Sequence, residues 1–342
     1  MSSRGPGLAA ALSILAAVLI GFAVMSFVAA NWQDMPRLVR LGLLFSSLAA
    51  SYGLAGVLFQ RGMDAFGHAA TLLGVAIFGA SIMLISQMFH MDGNPPDAVL
   101  VWALGGLLAG VALRSNPALA FAMVLVTVWW WMEAWQRDTV FWPFLLGWGA
   151  VGAAMYWHKW RPGIHLAGLA LANFVISLGY IIEKSHGYPF ERGQAHWIVI
   201  LTGLGLAALA IWGERAKPDL PRLWSGMLGY ATIIAYAGLW ALQFAPGWWW
   251  HADQESLGGL VLLAMLTLAL LVAAIWWGMK TGHRGVLWIA YSAFSIEVLS
   301  IYAKKFGSLL DTSLLYLVTG LIVAALAYMA YRLHGEVKEA HA

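Results

Sequence analysis

The sequence predicts an all-α, polytopic transmembrane helix bundle, and three observations support this fold class. About twelve apolar stretches, each near the ~20 residues that cross a bilayer, follow one another with few polar residues between them. Of the 342 residues, 61% are hydrophobic and only 10% are charged, whereas soluble domains carry about 25% charged residues. Because hydrocarbon offers the backbone no hydrogen-bond partners, these stretches are expected to be helices.

The predicted spans fill the chain, so we interpret residues 1–342 as a single transmembrane domain, with four helices in 1–113 and the remaining helices in 114–342. The spans are 8–30, 38–59, 67–89, 97–113, 116–135, 140–157, 163–182, 195–213, 222–244, 256–278, 284–303 and 312–332. Only residues 136–139 separate the fifth from the sixth, and Pro143 lies near the start of the sixth. If both are lost, ten spans remain and the parity is unchanged. The first span exceeds the ~7–15 apolar residues of a signal peptide, which predicts a retained helix.

The charge pattern predicts that both termini are cytoplasmic. An even number of spans places the termini on one side of the membrane, and cytoplasmic loops carry an excess of Lys and Arg. Most of the 19 basic residues fall on the side of the termini. The basic residues on the opposite side are Arg37, Arg40, Arg137, Lys184, Arg192, Lys304 and Lys305.

Glu297 is the most prominent polar residue inside a predicted span. It lies well within 284–303, and Ser300 shares its helix face. An ionised carboxylate near the bilayer centre costs about 3 kcal/mol or more, so such a residue is expected to face the bundle interior and to have a partner. We interpret Glu297 as a candidate site of proton binding and release.

A second polar stripe lies in the span 163–182. Asn173 is at mid-span, and Ser177 and Tyr180 lie on the same helix face. This stripe is a candidate hydrogen-bonding partner for Glu297. The alternative is that these groups simply join neighbouring helices, for about 0.6 kcal/mol per contact.

Gly106 and Gly110 form a small-xxx-small step in the fourth span. Small residues let helix backbones approach closely. The step therefore predicts helix packing, either within the chain or between the subunits of an oligomer.

Several stretches together resemble the bacterial integral membrane family called domain of unknown function 2157. They are 27–41 (FVAANWQDMPRLVRL), 74–80 (GVAIFGA), 84–90 (LISQMFH) and 97–104 (DAVLVWAL), with a weaker echo at 308–320 (SLLDTSLLYLVTG). The resemblance covers about the first third of the chain. It implies a multi-pass protein of the bacterial inner (cytoplasmic) membrane and implies no chemistry.

The predicted topology places the polar and aromatic members of these motifs at one depth, near the outer surface. Asn31 and Trp32 end the first span, Gln87 and His90 end the third, and Trp102 begins the fourth. One reading is an outer-facing recognition site, since amide and imidazole groups suit polar ligands. The other reading is helix capping and interface anchoring, which the same residue types also serve.

Other function classes find little support in the sequence. No cysteine is available for thiol or disulfide chemistry, the net charge is only +3, and no basic cluster predicts nucleic-acid binding. The ten histidines form no metal-binding pattern, no nucleotide or hydrolase motif is present, and no cofactor is predicted.

The leading hypothesis is therefore a small-molecule or ion transporter, proton-coupled through Glu297. A second is a membrane scaffold or accessory subunit that binds an envelope partner through an outer face rich in the chain's 20 tryptophans. A third, weaker alternative is an enzyme acting on a lipid-linked substrate. In each case the lipid bilayer is the principal partner.

Overall fold

The computed structural model describes residues 35–185, 194–216, 221–244 and 257–304. The predicted first span (8–30) and last span (312–332) lie outside these residues, as do Asn31 and Trp32. Every regular element in the described ranges is a helix, which confirms the predicted all-α class. The ten helices are α1 (Arg37–Gln60), α2 (Asp64–Met88), α3 (Pro95–Ala112), α4 (Asn116–Arg137), α5 (Phe144–Trp157), α6 (Arg161–Lys184), α7 (Gln194–Ala216), α8 (Pro221–Phe244), α9 (Leu257–Thr281) and α10 (Arg284–Lys304).

Nine of the ten described helices are long and apolar enough to cross a membrane. The exception is α5, which replaces the predicted span 140–157 with only 14 residues. Residues 140–143 precede it without helical structure, and Pro143 immediately before its first residue marks the late start. At 1.5 Å per residue α5 is roughly 21 Å long, which is short of the ~30 Å hydrocarbon core.

Tight helix ends explain how so many helices follow one another with short loops. Gly62 and Gly282 have positive φ angles of 71° and 72°, a conformation that glycine adopts without steric cost. After Gly62, the backbone N–H of Met63 donates to Leu58 O at 2.9 Å, which closes the end of α1 in a Schellman-type turn. His90 adopts a similar angle of 48° after α2.

The chain divides into two compact units, Met1–Ala122 and Met123–Ala342. In the first unit, large aromatic side chains pack against glycines of neighbouring helices. A Cβ on Gly74 of α2 would lie 2.8 Å from Tyr52 Cε1 of α1, and one on Gly105 of α3 would lie 2.4 Å from Phe78 Cε1 of α2. Helices α1, α2 and α3 therefore pack closely through these contacts.

In the second unit, α8 is the central helix, because it packs against α6, α7, α9 and α10. Its closest approach is to α7, where a Cβ on Gly203 would lie 2.5 Å from the backbone nitrogen of Ala235. Polar side chains on α8 are thus enclosed by protein on several sides, and the candidate site below is built around this helix.

Candidate functional site

Glu297 lies on α10 and is completely buried, with 0% of its surface exposed. It belongs to the segment Arg284–Ile301, which is long and apolar enough to span the membrane. No charged side chain of the described residues forms an ion pair with it. An unpaired acid in this position is costly and is the kind of residue that marks ion or substrate pathways in membrane proteins.

The side chains that interact most directly with the Glu297 carboxyl are Tyr236 and Gln243 of α8. Neither carboxyl oxygen reaches full hydrogen-bond geometry with any described residue, and the Tyr236 hydroxyl does not either. The three groups therefore face one another in the core of the unit without a closed hydrogen-bond network. A small displacement or an added proton can change how they pair.

The polar region continues from Gln243 into α9. Gln243 Nε2 donates to Thr267 Oγ1 at 2.7 Å and to Leu239 O at 3.2 Å, and the Thr267 hydroxyl donates to Leu263 O at 2.9 Å. Gln243 and Thr267 are both fully buried. The buried polar chain, defined here as Glu297, Tyr236, Gln243 and Thr267, thus joins α8, α9 and α10.

A separate hydrogen bond fixes α8 against α10 beside this chain. Trp240 Nε1 donates to Ser300 Oγ at 3.0 Å, so Ser300, which lies on the same face of α10 as Glu297, contacts α8 as well. Sequence reasoning missed Tyr236, Trp240, Gln243 and Thr267. Tyr236, Trp240 and Gln243 recur at steps of four and three residues along one helix face, and that spacing was the available signal.

The stripe of Asn173, Ser177 and Tyr180 makes its contacts away from Glu297. The buried Ser177 hydroxyl donates to Phe174 O of its own helix at 2.7 Å. Tyr180 packs edge-on against His196 of α7, with ring centroids 4.8 Å apart. Asn173 is half-buried on the same helix. The structure brings Glu297 together with α8 side chains instead, and a role for Asn173 beside it stays a prediction.

The outer-face candidates lie at different positions along their helices. Gln87 and His90 are exposed at the end of α2. Trp102 is half-buried and donates from Nε1 to Val75 O of α2 at 2.8 Å. Val75 precedes Gln87 by twelve residues, or roughly 18 Å of helix. The contact that Trp102 makes at Val75 is therefore farther from the end of α2 than Gln87 is, whereas we expected all the motif residues to lie at one depth. A shared outer site of Gln87 and His90 stays a prediction.

Trp102 of α3 packs against Gly79 of α2, which belongs to the recognised stretch 74–80. A Cβ on Gly79 would lie 2.0 Å from Trp102 Cε2, and the indole also packs edge-on against Phe121 with 5.4 Å between ring centroids. The indole thus contacts both α2 and Phe121, and its N–H donates to the backbone oxygen of Val75. This contact gives the recognised motif a structural role.

We expect Gly79→Ala to destabilise the protein by about 2–3 kcal/mol, because the added methyl group overlaps the Trp102 ring and forces a repacking of α2 and α3. Gly53→Ala on α1 is the matched control, since its Cβ would meet no atom within 4 Å. Thermal unfolding in detergent measures the difference. If Gly79→Ala unfolds at the same temperature as Gly53→Ala, the packing role inferred for Gly79 is wrong.

Gly106 and Gly110 are buried against helices of their own chain. A Cβ on Gly106 would lie 3.3 Å from Val75 Cγ1, and one on Gly110 would lie 2.6 Å from Leu119 Cδ2. Side chains of α2 and α4 cover this small-xxx-small step, while an oligomer formed through it stays a prediction. The packing alternative is the one that the structure supports.

Large apolar side chains remain exposed along the helices, among them Leu108 at 70% and Leu146 at 78%. In water such extensive apolar exposure is unfavourable, whereas in a bilayer lipid covers it. Within the described ranges, no three His, Cys, Asp or Glu side chains are grouped closely enough to hold a metal ion. Together with the nine apolar helices, these surfaces define a multi-pass helical membrane protein.

Comparison with known families confirms the resemblance found in the sequence. The family model described as predicted membrane protein (DUF2157) matches residues 1–119. Comparisons with curated proteins and with solved structures found no match. The matched region ends close to Ala122, the last residue of the first unit. Glu297 and the rest of the buried polar chain therefore lie outside the matched region.

Proposed function

We propose that this protein is a proton-linked transporter of a small molecule or ion in a bacterial inner membrane, with Glu297 as its protonatable group. The observation that carries the proposal is the complete burial of this carboxyl in a membrane-spanning helix without an ion-pair partner in the described ranges. A carboxyl group that gains and loses a proton at this depth can couple proton movement to a change in helix packing.

The buried polar chain supports a path from Glu297 toward one end of the second unit. Gln243 lies in the last turn of α8 and joins Thr267 of α9. Protons then reach Glu297 from the membrane surface at which α8 ends, along amide and hydroxyl groups, while Tyr236 faces the same carboxyl from one turn or more deeper along α8.

The outer-face candidates are proposed, separately, as a recognition region of the first unit. Gln87 and His90 are exposed at the end of α2, where the predicted topology places the outer surface. Asn31 and Trp32 belong to the same proposed region by sequence alone. Asn173 remains a candidate that contacts substrate from α6.

The first test is chemical labelling with dicyclohexylcarbodiimide, which adds to protonated carboxyl groups in apolar surroundings and rearranges to a stable N-acylurea. We expect mass spectrometry to find the adduct on Glu297, with labelling that decreases as the pH rises because the reagent requires the protonated acid. Glu297→Gln should remove the adduct.

Glu133 provides a control within the same molecule. It is also buried in a spanning helix, but its Oε2 accepts a hydrogen bond from Arg137 Nε at 2.6 Å. We expect it to remain unlabelled because its carboxylate is ion-paired. If Glu297 stays unlabelled at every pH in folded protein, or if Glu133 labels equally well, the proposed protonatable site is wrong.

The substrate class is then sought in proteoliposomes with an imposed pH gradient and a panel of cations, anions and small polar solutes. A substrate should move into the vesicles faster when the gradient is present, and Glu297→Gln should abolish that dependence. Binding should also raise the unfolding temperature, since a ligand that binds only the folded state stabilises it by mass action.

The scaffold alternative has a specific observation in its favour. Trp135 and Trp142, on either side of the turn between α4 and α5, are 68% and 58% exposed, and Lys184 Nζ lies 4.3 Å from the centroid of the Trp135 ring. Interface anchoring accounts for exposed tryptophans equally well. Trp135→Ala tests this alternative. The scaffold function would be favoured for this surface if the variant keeps its proton-linked uptake but no longer copurifies with an envelope protein.

A further inference from the structure

A groove on the second unit runs between α8 and α10 and contains two adjoining cavities. One has a volume of about 540 Å³ at the end where both helices begin, and the other has a volume of about 550 Å³ farther along the same helices. Ile289 of α10 lines both cavities. We refer to the first as the polar end of the groove and to the second as its apolar end.

The polar end carries groups that suit an anion. It is lined by Arg284 and His165 and by the half-buried Ser225. Arg284 is exposed and is the first residue of α10, a helix of 21 residues. In the first turn of α10 the N–H of Arg284 donates to Gly282 O and that of Leu287 donates to His283 O, so the N–H groups of Gly285 and Val286 are the ones that favour negative charge there. An arginine guanidinium binds phosphate through paired hydrogen bonds.

Glycines keep this end open. A Cβ on Gly226 of α8 or on Gly285 of α10 would meet no atom within 4 Å, and both residues line the cavity. A ligand can therefore approach the backbone of α10 at its first turn.

Neighbouring side chains hold the polar end in place. The Tyr230 hydroxyl donates to His165 O at 2.8 Å and lies 3.1 Å from His165 Nδ1, so the ring is fixed through Nδ1. Among the described residues near this end, the acid Glu214 is engaged by His283, with 2.8 Å between Glu214 Oε1 and His283 Nε2. Glu214 does not line the cavity, and Arg284 remains available to a ligand.

The apolar end is lined by hydrocarbon and aromatic groups. Its lining residues are Ile233, Tyr236, Ala237, Trp240, Trp288, Ile289, Ser292, Ala293 and Ile296. Trp288 and Ile296 are 74% and 49% exposed, and both lie on a membrane-spanning helix. This part of the groove therefore opens sideways toward lipid and carries no charged side chain.

The dimensions match those of a lipid. Ser225 at the polar end and Trp240 at the apolar end are separated by roughly 22 Å of helix, whereas one leaflet of the hydrocarbon core is about 15 Å thick. The groove can thus hold a head group at the membrane surface and an acyl chain along α8 and α10. A soluble anion would use only the polar end.

We propose that an anionic phospholipid binds in the groove between α8 and α10, with its phosphate against Arg284 and the first turn of α10 and an acyl chain along the apolar end. Basic pockets between transmembrane helices bind anionic head groups in this way. The proposal does not rest on the proposed transport function, because it uses neither Glu297 nor a substrate.

The test compares phosphatidylglycerol with phosphatidylcholine on the full-length protein, using native mass spectrometry to count retained lipids and thermal unfolding to measure stabilisation. Phosphatidylglycerol should bind more tightly than phosphatidylcholine. Arg284→Gln should weaken its binding by about tenfold, the size expected for the loss of a charge-assisted hydrogen bond. Because Arg284 is exposed, its substitution should leave the unfolding temperature in phosphatidylcholine unchanged.

Two further variants separate the specific site from general attraction. Arg161→Gln removes an exposed charge where α6 begins, outside the groove, and should weaken phosphatidylglycerol binding much less. Ser292→Phe narrows the apolar end without a change of charge, and its exposed position permits folding. It should also release the lipid. The proposal would be overturned if Arg161→Gln and Arg284→Gln weaken phosphatidylglycerol binding equally, or if the protein shows no preference between the two lipids. Undiminished lipid binding in Ser292→Phe would also overturn it. Stabilisation by inorganic phosphate without any by phosphatidylglycerol would do the same.

Discussion

Gly203→Ala is expected to destabilise the protein by about 3 kcal/mol or more, the upper part of the range for overpacking. The added methyl carbon would lie 2.5 Å from the backbone nitrogen of Ala235 and 2.8 Å from its Cα. A flexible side chain could turn away from such an overlap, but a helix backbone cannot. Helices α7 and α8 would have to separate, and the other helices that pack on α8 would lose contacts with them.

Gly205→Ala is the matched control for this prediction. It lies two residues along the same helix, and its Cβ would meet no atom within 4 Å. We expect it to be neutral or slightly stabilising, since alanine favours helix over glycine. Unfolding in a graded series of denaturing detergent measures both variants. Equal stability of the two would show that α7 and α8 do not approach each other as closely as described.

Glu297→Met is expected to stabilise the protein by roughly 2 kcal/mol, because it removes a buried acid that has no ion pair in the described ranges and replaces it with a flexible apolar side chain of similar length. The same variant should lose carbodiimide labelling and proton-linked uptake. A gain in stability with a loss of activity is the result expected of a group kept for function.

Glu133→Met is the control variant for Glu297→Met, because it removes a buried acid that does have an ion-pair partner. Glu133 is 2% exposed and ion-paired with Arg137, so its removal breaks an existing interaction and should lower the unfolding temperature. If Glu297→Met also lowers it, Glu297 serves mainly to hold α8, α9 and α10 together. The proposed protonatable site would then have to be abandoned.

The helices could be predicted from the sequence because each depends on local information. Apolar length marks a span, and residues such as Gly62 and Gly282 mark where a helix must end. Glu297 was recognisable for the same reason, since its depth follows from its place in one span. The shortness of α5 was the main error, although Pro143 already indicated a late helix start.

The partners of Glu297 could not be predicted, because they depend on which helices are neighbours. Asn173 was selected for its mid-span position, yet the structure places Tyr236 and Gln243 of α8 beside the carboxyl. Gln243 is near the end of its predicted span, where a polar residue attracts no notice in sequence reasoning. Trp102 was assigned to the outer surface by its place in the chain, whereas its hydrogen bond to Val75 O is deeper.

The contact between Gly79 and Trp102 also limits what the match to the family model says about this protein. The motif residues that it joins belong to the matched region 1–119, and they hold the first helices together. The buried acid lies in the other unit, beyond that region. The match therefore reports on the packing of the first unit and carries no information on the chemistry of the second. Any function of the second unit has to be tested on the second unit's own residues.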